Sequence, residues 1–147
     1  MKLKLFCLIA GFVICALITL GISAQEKPRE KNKHIAELEK EIVGKENKPA
    51  EEVFMNIEIF KGMPAARVLR IMENGFSPAL GFECKDCHVE GQWESDDNEH
   101  KPIARKMWEM QTKLNQELKV ILEEGKGTVN CYTCHRGQEK PLLSPPN

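Results

Sequence analysis

The sequence lacks a charge imbalance. Its 147 residues carry 21 Lys and Arg against 22 Asp and Glu, a formal net charge of −1, and no basic stripe with interleaved aromatics runs along it. Nucleic acid is therefore excluded as the expected partner. Aromatic residues are sparse, at 6% of the chain, and no stretch shows the apolar–polar alternation of a half-buried strand. A sheet-built core is not expected. A βαβ pattern is missing too, which removes the usual setting of a dithiol oxidoreductase. With 41% hydrophobic and 29% charged residues, the length suits one globular domain and hardly two.

One long uncharged run is present, and it lies at the amino terminus. Lys2 and Lys4 precede Leu5 to Ile22, 18 residues without a charge, and Ile22-Ser23-Ala24 before Gln25 reads as a cleavage site for export. The same run just reaches the length that crosses a bilayer. Residues 1–24 are thus expected to be a signal peptide or an uncleaved membrane anchor through residues 5–22. Cys7 and Cys15 lie inside this run, and neither follows the small residue that a lipoprotein cleavage site needs. On either reading the body of the protein is exported to the periplasm. Without residues 1–24 the chain keeps 19 basic and 22 acidic residues, a net of −3.

Residues 25–51 are densely charged and read as a strap or linker, in which Ile35, Leu38 and Ile42 at helical spacing mark one short amphipathic helix. The domain proper is expected over 52–141. Pro64 sits where a first helical turn tolerates it, Val68, Leu69 and Met72 follow on one face, and Asn74-Gly75 is expected to stop that helix. Residues 89–100, VEGQWESDDNEH, read as a solvated acidic loop. The longest helix is expected from Lys101 or Pro102 to Glu124, with Gly125 as its stop. Its Ile103, Met107, Met110, Leu114, Leu118 and Ile121, in steps of three and four, predict a buried stripe. Residues 142–147 form a Pro-rich tail. The expected fold is mainly α and rich in loops.

The chain has four histidines, and two of them stand directly behind a Cys-x-x-Cys pair: CKDCH at 84–88 and CYTCH at 131–135. In this pattern each thiol can add across one haem vinyl group. Two intervening residues put both sulfurs on one turn, and the next residue then lies under the porphyrin face, where an imidazole nitrogen binds iron. The pattern reads as c-type haem attachment. A Cys-x-x-Cys disulfide would close too small a loop to stabilise much. A Cys₄ zinc site would leave both trailing histidines as coincidences. Cys84, Cys87 and His88 are therefore assigned to one covalently attached haem c, and Cys131, Cys134 and His135 to a second, with the helices packed around both. For the sixth ligand of the first iron, Met72 is the candidate, against the commoner fate of a core methionine. For the second, Met107 and Met110 both point inward from the long helix, and spacing does not separate them. His34 and His100 read as solvated side chains.

With these residues in place, the chain resembles the cytochrome c subunit of photosynthetic reaction centres. LRIM at 69–72, ARKMWEMQTKLN at 104–115 and VNCYTCHRGQ at 129–138 are similar to blocks of that family, and the similarity spans roughly residues 53–141. The resemblance implies a multihaem periplasmic electron donor that pairs a helix methionine with the histidine of the following motif. It thereby implies Met72 for the first iron and Met107, the first methionine of ARKMWEM, in preference to Met110 for the second. Members carry four haems in two similar halves. This chain, with two motifs and no histidine between 111 and 130, corresponds to one half.

The function expected is an electron carrier and not an enzyme. It passes single electrons between redox protein partners, either a membrane complex or a soluble carrier, with membrane association through residues 5–22 as one arrangement and no small-molecule substrate. A photosynthetic reaction centre or a respiratory complex would be such a partner. The alternative is a peroxidase-like dihaem enzyme with one open iron, against which a candidate ligand for each iron argues.

Overall fold

The computed structural model describes residues 32–122 and 127–144. The expected export segment at 1–24, the start of the expected strap, the expected end of the long helix and the last three residues of the tail lie outside the described residues. Among the described residues the chain is helical and loop-rich. The only β pairing among them is two isolated bridges, Pro49 with Pro64 and Val89 with Gln92.

Helix α1 spans Lys33–Glu41, and the Asn32 side chain caps it by accepting the His34 amide at 2.9 Å. Its apolar side is buried: Ile35, and Ile42 just beyond the helix, press against Ala65 and Leu69, with Leu38 packed beside them. The strap segment thus supplies part of the core, because three apolar residues at helical spacing are enough to seal one side of so small an interior.

Helices α2 (Ala50–Val53) and α3 (Ala65–Ile71) each begin behind a proline, Pro49 and Pro64. Their starts are stitched together by Ala50 N–H to the Met63 carbonyl at 2.8 Å and Ala65 N–H to the Lys48 carbonyl at 3.0 Å. Ala50 and Ala65 are wholly buried, and their small side chains permit this close crossing. A second cluster forms around Ala50, Phe60 and Val68. Trp108 closes it, with its ring edge-to-face on Phe60 at 4.9 Å and stacked on Phe76 at 6.0 Å.

The chain does not leave the helix at Asn74-Gly75. A π-turn, Met72–Phe76, continues α3 into a short helix α4, Ser77–Leu80, which ends at Gly81 in the left-handed region (φ 69°). The expected stop fails because Gly75 remains in the helical path. The turn widens instead, and such single π-turns concentrate at functional sites.

After a 3₁₀ turn, Cys84–Asp86, and the 89–99 loop comes helix α5, His100–Leu122. Its expected buried stripe is a correction: Ile103, Met110 and Ile121 are 52%, 52% and 71% exposed, Leu114 is exposed too, and Met107 and Leu118 are half-buried. Helical spacing does mark one apolar face, but α5 docks through a neighbouring face, with the Trp108 ring, the Arg105 and Lys101 cations and the Gln111 and Asn115 amides.

Helix α6, Cys131–His135, is opened by a reciprocal cap: Asn130 Oδ1 accepts the Thr133 amide at 3.1 Å, and Thr133 Oγ1 accepts the Asn130 amide at 3.1 Å. It ends at Arg136 and Gly137, both in the left-handed region. Gly137 N–H donates to the Ala79 carbonyl at 2.9 Å, and a Cβ placed on Gly81 would overlap the Gly137 carbonyl. Only glycine fits at 81.

Candidate functional site

A cavity of about 320 Å³ opens between α1, α3 and α5, near the lower end of the range for cofactor pockets. Met72, Cys84, Cys87 and His88 all line it, among apolar walls that include Phe54, Ile57 and Leu69. The structure therefore brings together all four residues that the sequence assigns to the first motif. Met72 enters from the first position of the π-turn. The 3₁₀ turn is capped by Glu83 N–H to Asp86 Oδ2 at 2.8 Å, and His88 N–H closes the next turn on the Cys84 carbonyl at 2.9 Å. Both sulfurs and the imidazole thus leave one tight turn.

The His88 ring has a defined tautomer. Its Nδ1 lies 3.0 Å from the Trp93 carbonyl. A carbonyl only accepts, so Nδ1 carries the proton and the Nε2 lone pair is left for a metal. Burial pushes His88 below its ordinary pKa, and the nearby charges of Lys101 and Arg105 push the same way. The ring is neutral at neutral pH, as ligation requires. Burial raises the thiol pKa of Cys84 and of Cys87, the latter up to about 11 with Asp86 adding to the rise. Such thiols stay protonated, the reverse of a redox-active thiolate pair, and all four described cysteines are unpaired.

None of Cys131, Cys134, His135, Met107 and Met110 lines this cavity. In α6, Cys131 is half-buried and Cys134 exposed, while His135 is buried. His135 Nδ1 donates to two carbonyls, Gln138 at 3.1 Å and Glu139 at 2.9 Å, so its Nε2 is free as well. Helix α5 grips the approach to this motif. Asn115 accepts the Val129 amide at 2.8 Å and donates to its carbonyl at 2.9 Å, and Gln111 donates to the same carbonyl at 2.8 Å. Met107 lies one turn before Gln111, about 40° around the helix, whereas Met110 lies about 100° away.

Two histidines read as solvated are engaged instead. The His34 side chain is only 15% exposed. It lines the first cavity and meets Trp93 edge-on at 5.1 Å, because α1 docks on the core. His100 donates Nδ1–H to the Asp86 carbonyl at 2.8 Å and turns Nε2 toward Glu139, 3.9 Å away. The acidic loop is likewise tied down. Lys101 Nζ donates to the carbonyls of Trp93, Glu94 and Ser95 at 3.0, 2.8 and 2.8 Å. Asp96 pairs with Arg105 at 3.0 Å and Lys101 at 3.2 Å, and Arg105 reaches Glu58 at 3.0 Å. The Arg105 guanidinium, ahead of Asn56 and Lys101, holds the Asp96 carboxyl well below the usual carboxylate range. No local spacing in the sequence signals the long-range partners of Trp93, Lys101, Arg105, Gln111 or Asn115.

Two thiols, an imidazole with a free Nε2 and a thioether around one apolar cavity fit the donor set of a covalently held haem, which is the site of a c-type cytochrome. Residues 18–143 match the model of the photosynthetic reaction centre cytochrome c subunit family. The chain is 38% identical over 96 residues to the photosynthetic reaction center cytochrome c subunit of Thermochromatium tepidum, covering 63% of this chain and 22% of that one. It is 34% identical over 89 residues to cytochrome c-554 of Chloroflexus aurantiacus (60% and 22%). It is 32% identical over 102 residues to the reaction center cytochrome c subunit of Roseobacter denitrificans (63% and 26%). The chain thus spans about a quarter of the length of these relatives. It belongs to the photosynthetic reaction centre cytochrome c subunit family. The family is one of c-type cytochromes, and the donor set described above is of that kind.

Proposed function

We propose that this chain is an exported dihaem carrier of single electrons. The first haem is held by Cys84, Cys87 and His88 with Met72 as sixth ligand, and the second by Cys131, Cys134 and His135 with Met107. The observation that carries this reading is the convergence of Met72, Cys84, Cys87 and His88 on one apolar cavity, with the His88 proton fixed on Nδ1. A haem bound there supplies a one-electron couple between ferrous and ferric iron. The chain's own part is to fix both axial donors, keep water off the iron and hold each imidazole in the ligating tautomer.

At the second motif the buried, doubly hydrogen-bonded His135 supports the same role. The exposed apolar residues Ile103, Met110 and Leu114 supply one wall for a flat apolar group carried by α6. Met107 is preferred to Met110 because it shares the α5 face that Gln111 and Asn115 turn toward Val129. Export rests on Lys2, Lys4 and the uncharged run behind them. Among the described residues no helix is long and apolar enough to cross a membrane; membrane association is assigned to residues 5–22 on the length of their uncharged run. Partners are redox proteins, a membrane complex such as the reaction centre named in the relatives or a soluble carrier.

The test is to mature the protein in a host with a c-type haem assembly system, then weigh it and titrate it spectroscopically. Two added haem masses, six-coordinate low-spin spectra and two one-electron couples are expected. A bare polypeptide mass overturns the proposal.

A further inference from the structure

Lys101 and His88 share an acceptor. The ammonium group of Lys101 and the ring Nδ1–H of His88 both donate to the carbonyl oxygen of Trp93, each at 3.0 Å. The cation is therefore two short hydrogen bonds from the imidazole. Lys101 is locked in place by two further carbonyls, and its side chain is only 12% exposed.

We propose that Lys101 sets the reduction potential of the first haem above that of the second, by placing its ammonium group on the same carbonyl that receives the His88 ring N–H. This rests on the two-haem reading above and adds to it the direction of electron flow within the chain.

The sign follows from two effects of one geometry. A strong acceptor on Nδ1–H makes an imidazole a better donor and stabilises the more positive ferric iron. A carbonyl already polarised by an ammonium group is a weaker acceptor, so His88 gives less of that stabilisation. The ammonium charge itself also disfavours the extra positive charge of ferric iron. Both effects favour the reduced state.

The carboxylates paired with Lys101 and its neighbour Arg105 are more exposed than the cations they face. Asp96 faces both Lys101 and Arg105, and Glu58 faces Arg105. These carboxylates are 42% and 54% exposed, whereas the two cationic side chains are each 12% exposed. Solvent screens the acids more than the bases.

The second motif is the opposite case. His135 Nδ1–H is offered two carbonyls, Gln138 and Glu139, and among the described residues no cation donates to either. Unlike the Trp93 carbonyl, neither is polarised by a donating ammonium group, so His135 keeps its full strength as a donor. Ferric iron is favoured there, so an electron entering at the second haem settles on the first.

The experiment is a spectroelectrochemical titration of the full-length holoprotein, preceded by a haem count. Fewer than two haems per chain defeats the two-haem reading itself. With two haems present, Lys101→Gln keeps a carbonyl donor but loses the charge. It is expected to lower the upper couple by a tenfold change in its equilibrium constant, about 59 mV for one electron, and to leave the lower couple in place. Lys101→Arg restores the upper couple. Asp96→Asn, which unmasks both cations without touching the cavity wall, raises the upper couple and serves if Lys101→Gln does not mature. An upper couple unmoved by Lys101→Gln, or by Asp96→Asn where that variant must stand in, overturns the inference. So does an equal shift of both couples.

Discussion

The amide of Gly137 donates to the carbonyl of Ala79 at 2.9 Å. A residue two places beyond the second motif's histidine is thereby tied to one five places before the first motif's cysteine. The two attachment segments meet along a backbone seam, and Gly81 is its closest point.

Gly81 and Gly62 separate the two costs of replacing such a glycine. Both sit at positive φ, 69° and 75°, so alanine at either costs about 1 kcal/mol for the left-handed conformation alone. A Cβ on Gly62 meets nothing within 4 Å, whereas one on Gly81 overlaps the Gly137 carbonyl. Gly81→Ala is expected to lose at least twice the stability of Gly62→Ala, measured by thermal unfolding of the matured proteins. Equal losses would deny the seam its tightness.

Single methionine replacements assign the sixth ligands. Met72→Ala and Met107→Ala are each expected to turn one haem high-spin with rapid cyanide binding. Met110→Ala is expected to leave both absorption spectra as they are. If Met110→Ala gives the high-spin signal and Met107→Ala does not, the choice drawn from the α5 face is wrong.

Asn115 makes two of the three side-chain hydrogen bonds to Val129, Gln111 making the third, and alanine at 115 removes its pair. The expected loss is about 1–2 kcal/mol in urea unfolding. Asn115→Asp keeps the acceptor for the Val129 amide while losing the donor to its carbonyl, and should fall between the two.

Asp96 fixes a pH signature. Its folded pKa is depressed, chiefly by Arg105, so its contribution is complete above the unfolded value near ~4 and is lost as pH falls toward the folded one. Because the carboxylate is 42% exposed, the effect is expected to be no more than the ~1 kcal/mol of an exposed pair. Asp96→Asn should therefore be less stable than the parent at pH 7 and pH 5, with the gap narrowing at pH 3. A gap that widened on acidification would reverse the assignment.

Much of the site was legible because its chemistry is local. Cys84, Cys87 and His88 are neighbours in sequence, and their shared turn follows from that alone. Ile35, Leu38 and Ile42 announced a helix correctly, though not that it seals the core. Spacing failed where a partner decides the outcome. The stripe from Ile103 to Ile121 marks a face of α5 but not what that face meets, and docking went to Trp108, Gln111 and Asn115 instead. Asn74-Gly75 is a stop signal in isolation, yet the π-turn that bypasses it is supported by Phe76 stacking on Trp108, 32 residues away in sequence. The shared carbonyl of Trp93 joins residues brought together by the fold, and no pattern in the chain foretells it.

Asn32, where the described chain begins, donates its amide to the Glu73 carboxylate at 3.1 Å, one residue from Met72. Residue 32 is thus moored beside the methionine of the first cavity. Loss of the Glu73 carboxylate would therefore free the start of α1 and loosen the Met72 turn together, so one anchor secures both the first helix and the thioether.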